Sequence, residues 1–283
     1  MAPTLRKILA TALLFGCAQM TWAGNITIKG SDTLVILAQK WAEMYMQKNP
    51  GTTIQVTGGG SGTGIAALQN QTTDICNSSR KMKAREIENC VRVFGKRPRE
   101  YPVALDGLTV YVHADNPIAS LSVPQIGDIF AGKIRNWKEV GGADAPIVLY
   151  SRENSSGTYE FFKENVLKGR DFASSAQTMP GTAAVLQAVA KDKNSIGYGG
   201  AAYGQGAKHL KVSKEPGGEA IEPNEENVVS GKYPIWRYLF NYLNPELEKG
   251  EVKAYLDWVR SEEGQKVVKD VGYYPLPTHL RKK

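Results

Sequence analysis

Short strand patterns alternate with longer helical patterns along this chain. Apolar and polar residues alternate over 25–29, and apolar residues spaced three and four apart follow over 34–48, where Asn49-Pro50-Gly51 ends the helix. Similar patterns predict strands at 52–57, 74–76, 108–113, 147–150 and 195–198, and helices at 65–70, after 122–124, at 159–167 and at 183–191. Because strands that alternate with helices form a sheet covered by helices, the predicted class is α/β.

Two further segments suggest that the chain crosses between two lobes. Residues 101–106 are strand-like, and a second strand-like segment begins at Tyr233-Pro234, after a polar stretch over 213–232. Two crossings predict two sheets and an inserted middle lobe. Lobe I is expected to comprise 24–105 and 229–283, and lobe II 106–228, with a closing helix over 245–270 packed on lobe I.

The first 23 residues have the pattern of a secretory signal peptide. Arg6 and Lys7 precede an apolar run over 8–17, and the small residue Ala23 ends the segment. The run is too short to span a bilayer, so the mature protein is expected to be exported, to the periplasm. Lipid attachment at Cys17 is the less favoured alternative, because Phe15 is bulky where a lipoprotein signal has a small residue.

Charge and cysteine content add little that is specific. Removing Arg6 and Lys7 from 35 basic residues leaves 33 against 28 acidic ones, a mature net charge of +5. This mild excess suits an anionic ligand but does not require one. Cys76 and Cys90 remain after export, and an oxidising compartment permits a disulfide between them, although two separate buried thiols are the alternative.

Four short Gly/Ser/Thr-rich loops each follow a strand and precede a predicted helix. They are Gly30-Ser31-Asp32-Thr33, the glycine run 58–64, Asn77-Ser78-Ser79-Arg80, and the segment 152–158. The first turn of a helix has unpaired N–H groups and a partial positive charge, and hydroxyls add further donors. Each loop alone could be an ordinary N-cap or turn, but together they predict a binding site for a small tetrahedral oxyanion.

Two of these loops carry an arginine. The planar guanidinium of Arg80 or Arg152 matches two oxygens of a tetrahedral anion. A surface salt bridge is the alternative role for each of them.

At these residues the chain resembles the substrate-binding proteins of phosphate ABC transporters. Arg152-x-x-x-Ser156-Gly157-Thr158 is similar to that family's anion anchor, and the glycine run 58–65 is similar to its second-loop serine motif. Gly197-Tyr198-Gly199 and Asn136-Trp137 also resemble the family, over about 24–277.

This resemblance implies a type II periplasmic binding protein fold, with phosphate held in the cleft between two hinged lobes and delivered to a membrane permease. The residues expected to bind phosphate are Ser31, Asp32, Thr33, Ser61, Gly62, Ser79, Arg80, Arg152, Ser156, Gly157 and Thr158.

One position departs from the family pattern. Some members have Ser-Asp after the third strand, where the aspartate accepts the hydrogen that phosphate retains, whereas this chain has Ser78-Ser79-Arg80. Asp32 is the candidate replacement, with a role as a helix cap as its alternative. Glu153 is the other acid in the loops, and we expect it to pair locally with Arg152 or to face solvent.

Other function classes are less well supported by the sequence. Gly62-x-Gly64-x-x-Ala67 lacks the acidic residue of a dinucleotide site, Ser78-x-x-Lys81 lacks the partner motifs of penicillin-recognising enzymes, and the histidines are scattered. We therefore expect a monomeric binding protein with no catalytic activity, cofactor, metal site or nucleic-acid partner. A binding protein for sulfate or molybdate, or a phosphate-sensing or adhesive surface protein, is the alternative.

Overall fold

The computed structural model of this chain describes residues 24–204 and 207–282, so the predicted signal peptide, with Cys17, lies outside the described residues. The strands are β1 Asn25–Gly30, β2 Thr53–Thr57, β3 Ile75–Ser78, β4 Arg99–Val112, β5 Ser120–Ser122, β6 Val148–Arg152, β7 Gln177–Met179, β8 Ser195–Gly200, β9 Lys208–His209, β10 Lys211–Ser213 and β11 Trp236–Leu243. The helices are α1 Asp32–Lys48, α2 Ser61–Gln69, α3 Ala84–Phe94, α4 Val123–Phe130, α5 Gly157–Asn165, α6 Thr182–Lys191, α7 Glu225–Val229, α8 Gly250–Val259 and α9 Glu262–Val271.

Nine of the described strands form one mixed sheet, in which the two predicted sheets are joined. Its order is β2-β1-β3-β11-β4-β8-β6-β7, with β9 also on β4 and a separate pair of β10 and β5. The reason is β4, which joins the predicted segments 101–106 and 108–113 into a single strand of 14 residues. Its first half pairs with β11 and its second half with β8. The predicted α/β class is confirmed.

Two large hydrophobic clusters lie toward opposite ends of the paired strands β4 and β11. One includes Ile26, Trp41 and Ala104, and the other includes Leu108 and Phe130. The change from one cluster to the other on β4 occurs between residues 104 and 105. The chain is therefore two-lobed, while the residue boundaries given above for the lobes stay a prediction.

Local sequence explains why the elements next to the site are regular. In β1 Ile26 and Ile28 are buried, as a strand with one face on the core requires. In α1 the buried side chains include Leu34, Leu37, Ala38 and Trp41, spaced three and four apart. These two buried stripes position the β1–α1 loop.

The predicted closing helix over 245–270 is wrong as a single element. A 3₁₀ turn at Pro245–Leu247 is followed by α8 and then by α9. Ser261 separates the two helices because its side chain accepts a hydrogen bond from the Gly264 N–H and so caps α9. Among the described residues, no helix has the length and apolar character needed to cross a membrane.

The predicted disulfide is also not formed. Cys76 and Cys90 are both free thiols, fully buried in a small cluster with Ile65 and Phe240. Burial raises the pKa of Cys90 to about 11 and raises that of Cys76 further. The alternative of two buried thiols therefore describes this structure.

We expect neither thiol to react with a labelling reagent at neutral pH while the protein is folded. Burial keeps the reagent from both sulfur atoms and raises their pKa values, so little of the reactive thiolate is present. After denaturation without reductant, both Cys76 and Cys90 should be labelled, as mass spectrometry of their peptides would show. Labelling that requires prior reduction would contradict the structure.

Candidate anion-binding site

Three of the four predicted loops lead directly into the first turn of a helix. Ser31 precedes α1, Gly60 precedes α2 and Ser156 precedes α5. Helix α2 begins at Ser61, earlier than predicted, so that residues 61–64 form its first turn instead of a loop. The first N–H groups of each helix have no partner within that helix, so three positive helix ends lie at this edge of the sheet.

The fourth predicted loop has a different structure. Strand β3 extends through Asn77 and Ser78, and α3 begins only at Ala84. Ser79 and Arg80 therefore follow the strand without opening a helix, contrary to the prediction. Ser79 nevertheless lies beside the other loops, because its N–H donates to Ser61 Oγ over 3.0 Å.

Hydroxyls from all four loops meet in what we call the hydroxyl cluster: Thr33, Ser61, Ser79 and Thr158. All four are buried. Thr33 Oγ1 lies 2.7 Å from Thr158 Oγ1, and Ser79 Oγ lies 3.3 Å from Ser61 Oγ and 3.5 Å from Thr158 Oγ1. Residues up to 125 positions apart in sequence thus form one group of hydrogen-bonding side chains.

Two glycines allow the loops of the two lobes to approach this closely. Gly60 has φ of +91°, and a side chain there would overlap the Ser155 carbonyl. A side chain at Gly157 would overlap the hydroxyls of Ser61 and Ser79. The lobes also make a direct backbone contact, since the Gly62 N–H donates to the Ser155 oxygen over 2.9 Å.

Arg152 is the most buried charge of the four loops, with 1% of its surface exposed. Its Nη2 lies 2.8 Å from Asp32 Oδ2 and 2.7 Å from Glu153 Oε1, and its Nη1 donates to Thr182 Oγ1 over 2.8 Å. The expected local pairing with Glu153 is present, and the Asp32 contact joins the two lobes. Thr182, the first residue of α6, was not among the site residues predicted from the sequence.

Asp32 occupies the first turn of α1, where Ser31 holds the cap position. Its Oδ1 accepts the Gly59 N–H over 2.8 Å and its Oδ2 contacts Arg152. The carboxylate therefore contacts the glycine run of its own lobe and, across the cleft, Arg152, instead of capping its own helix.

Arg80 is buried, but its guanidinium points away from the hydroxyl cluster. Its Nη1 and Nη2 donate to the two carboxylate oxygens of Glu86 over 2.8 and 2.7 Å, and Nη1 also donates to the Lys81 carbonyl. The structure does not bring its guanidinium into contact with the other predicted residues. Its assignment as a ligand stays a prediction from the sequence.

A different arginine, Arg237 on β11, contacts the hydroxyl cluster and was not identified from the sequence. It pairs with Asp106 on β4, its partner in the strand register, and its Nη2 donates to Thr158 Oγ1 over 3.0 Å. A signal was present, since Arg237 and Asp106 are single charges of opposite sign in two otherwise uncharged crossing segments, 101–106 and 236–243.

The arrangement offers many hydrogen-bond donors and little net charge. Arg152 contacts two carboxylates and Arg237 contacts one, so two positive and three negative charges leave a formal net charge of −1. Hydroxyls and helix N-termini supply the remaining donors, and such fixed dipoles bind an anion without a large positive field.

Glu86 and Glu153 share one electrostatic feature. Burial would raise the pKa of each, but the neighbouring arginine outweighs it, so that each pKa lies below its ordinary value of 4.5. A carboxylate with a depressed folded-state pKa stabilises the fold above its unfolded-state pKa, and this contribution is lost as pH falls through the folded-state value.

We therefore expect the melting temperature to fall as pH is lowered through and below 4.5. A variant carrying Glu86→Gln and Glu153→Gln should show a shallower fall, measured by circular dichroism. Glu88→Gln, at an exposed position on α3, is the control and should keep the wild-type slope. An unchanged slope in the double variant would contradict this assignment.

Comparison with known proteins places these features in a family. A sequence model of the PBP superfamily domain matches residues 18–263. The phosphate-binding protein PstS of Pseudomonas aeruginosa is 36% identical, over 92% of this chain and 86% of its own length. PstS of Bacillus subtilis is 35% identical, over 90% of this chain and 81% of its own length.

Solved structures show the same architecture. A Clostridium perfringens protein with bound phosphate, described as a phosphate ABC transporter substrate-binding protein, aligns with a TM-score of 0.82 and 31% identity, covering 90% of this chain and all of its own. A Vibrio cholerae ABC-type phosphate transport receptor aligns with a TM-score of 0.72 and 27% identity, covering 89% of this chain and all of its own.

Proposed function

Because this chain belongs to the PBP superfamily and, within it, to the family of PstS phosphate-binding proteins, we propose that it captures inorganic phosphate between its two lobes and delivers it to an ABC-type permease. The observation that carries this proposal is the convergence of three helix N-termini and four buried hydroxyls between the lobes, with Arg152 joined to the start of α1 through Asp32. The type II fold of the family matches the two-lobed architecture.

In this proposal phosphate is held mainly by neutral donors. The N–H groups of Gly157 and Thr158 lie in the first turn of α5, where a helix end stabilises an anion, whereas the Gly62 N–H of α2 donates to the Ser155 carbonyl in this structure. The hydroxyl cluster supplies further donors, and Arg152 supplies a guanidinium. Because these groups contact one another across the cleft, the same groups that bind the anion also join the lobes, as hinge closure around a ligand requires.

Selectivity for phosphate over sulfate is assigned to the carboxylates that hold Arg152. Phosphate near neutral pH retains at least one hydrogen and can donate it to a carboxylate, whereas sulfate has none to donate. A carboxylate facing sulfate is a repulsive contact, which disfavours the wrong ligand. Asp32 fills this role in the proposal, because it is the acid that bridges the Gly59 N–H and Arg152.

We assign no catalytic step to this site. Among the described residues, the hydroxyls of the cluster contact one another, the Ser79 N–H and Arg237, and none is hydrogen-bonded to a histidine that could act as a base. The protein is proposed to act as an exported monomer in the periplasm, with the permease as its membrane partner.

Calorimetric titration of protein freed of bound anion tests this function. Phosphate should bind well below millimolar concentration, arsenate should compete because of its similar shape and protonation, and sulfate and molybdate should bind weakly. Incubation with phosphate esters should release no phosphate. Binding of another oxyanion where phosphate fails would contradict the proposal, and ester turnover would show an enzyme.

A further inference from the structure

Arg237 is a buried charge beside the hydroxyl cluster that the proposed function does not use. It lies on β11 with 4% of its surface exposed, and its partner Asp106 is fully buried on β4. The two residues are direct neighbours in the antiparallel register of the two strands that join the lobes. Its guanidinium also lies 5.2 Å from the centre of the Phe161 ring.

Two of the three guanidinium nitrogens of Arg237 donate hydrogen bonds, and the third does not. Nε and Nη2 both donate to Asp106 Oδ2, over 3.0 and 2.8 Å, and Nη2 also donates to Thr158 Oγ1. Nη1 is buried and has no hydrogen-bond partner among the described residues. A buried donor without an acceptor is costly, so an uncompensated Nη1 requires an explanation.

Covalent geometry fixes the direction in which Nη1 points. A guanidinium is planar and rigid, and the terminal N–H groups of Nη1 and Nη2 are parallel at the end of its fork. Since the edge formed by Nε and Nη2 faces Asp106, the end of the fork faces Thr158. The terminal N–H of Nη1 is therefore directed to the same side as the hydroxyl cluster.

Solvent does not satisfy this donor. Arg237 also lines a cavity of about 330 Å³ together with Phe161, Trp236 and Tyr238. Nη1 itself has almost no accessible surface, so bulk solvent does not contact it.

We infer that Nη1 of Arg237 binds the anion directly, making Arg237 the second arginine of the site in place of Arg80. This inference rests on the proposed function, because the phosphate oxygen supplies the acceptor that Nη1 lacks. Asp106 holds the guanidinium rigidly and balances its charge, so the pair contributes an oriented donor. Because β4 and β11 join the lobes, this contact also places the anion against the hinge.

The test compares phosphate affinities by calorimetry in four variants. Arg237→Met alone leaves Asp106 buried without a partner and could unfold the protein. The variant Arg237→Met/Asp106→Asn removes both charges and keeps an oxygen for the Ala201 N–H, which donates to Asp106 Oδ1 over 3.0 Å. Asp106→Asn alone, checked for folding in the same way, is its matched control, and Arg170→Met is the control for an arginine that pairs with a carboxylate outside the four loops.

The double variant should remain folded by circular dichroism and bind phosphate roughly a hundredfold more weakly than Asp106→Asn, the scale of losing a buried hydrogen-bonded charge. Arg170→Met should keep wild-type affinity, because Arg170 pairs with Asp128 outside the four loops. A double variant that binds within a few-fold of Asp106→Asn would overturn the inference alone. A wild-type protein that does not bind phosphate would overturn the proposed function as well.

A Thr158→Val background separates direct contact from positioning. If Arg237 binds the anion, adding Arg237→Met/Asp106→Asn to Thr158→Val should weaken phosphate binding more than adding Asp106→Asn does. If Arg237 only orients the Thr158 hydroxyl, the two combined variants should bind phosphate equally, and the inference would be overturned.

Discussion

Arg152→Met is expected to weaken phosphate binding by more than about a hundredfold, since breaking a buried charged contact costs about 3–5 kcal/mol and each tenfold in affinity corresponds to about 1.4 kcal/mol. The loss has two physical causes. The anion loses a guanidinium, and the carboxylates of Asp32 and Glu153 lose the charge that now balances them, so they repel the ligand.

The fold should survive this replacement. The side chains of Asp32 and Glu153 are 19% and 25% exposed, so water can hydrate them once Arg152 is gone. Arg170→Met is the matched control, because Arg170 also pairs with a carboxylate, Asp128, outside the four loops. Titration calorimetry should give wild-type affinity for Arg170→Met, and an affinity of Arg152→Met within about fivefold of wild type, far below the loss expected for a buried charged contact, would remove Arg152 from the site.

Asp32→Asn is expected to lower phosphate affinity and to produce measurable sulfate binding. The amide keeps an oxygen for the Gly59 N–H but loses the negative charge that faces Arg152. Without that charge, phosphate loses an acceptor for its hydrogen, and sulfate loses a repulsive contact that costs several kcal/mol when buried. Titration of both anions into the variant measures the two effects together.

Glu153→Gln is the comparison that isolates Asp32, since it removes the other carboxylate from the same guanidinium. It should leave sulfate excluded. Equal sulfate binding in both variants would show that net charge around Arg152 sets selectivity, and unchanged phosphate and sulfate binding in Asp32→Asn would leave Asp32 a structural role only.

Much of this fold follows from local patterns. The period of apolar residues in α1 and β1, and the stop at Asn49-Pro50-Gly51, predicted both elements closely. The glycine-rich start of α2 was harder, because Gly62 and Gly64 are poor helix formers that suggested a loop. Their place in the helix is set by tertiary packing, where Gly64 lies against the β1 backbone.

The site could be predicted only in part, because its parts come from distant segments. Local motifs predicted that Ser61, Ser156 and Thr158 lie where a loop opens a helix, and they do lie at the starts of α2 and α5, while their role as ligands stays a prediction. They could not show that Arg80 pairs with Glu86, six residues away on a helix whose start was not predicted. The Arg237–Asp106 pair depends on strand register, which apolar patterns alone do not fix.

A crystal structure of the protein grown with phosphate would show directly whether the four loops bind the anion. We expect one tetrahedral density between the lobes, within hydrogen-bonding distance of the Gly157 and Thr158 N–H groups, of the Ser61 and Ser79 hydroxyls and of Arg152. Phosphate bound only on the surface, or between other elements while the four loops hold no anion, would contradict the account.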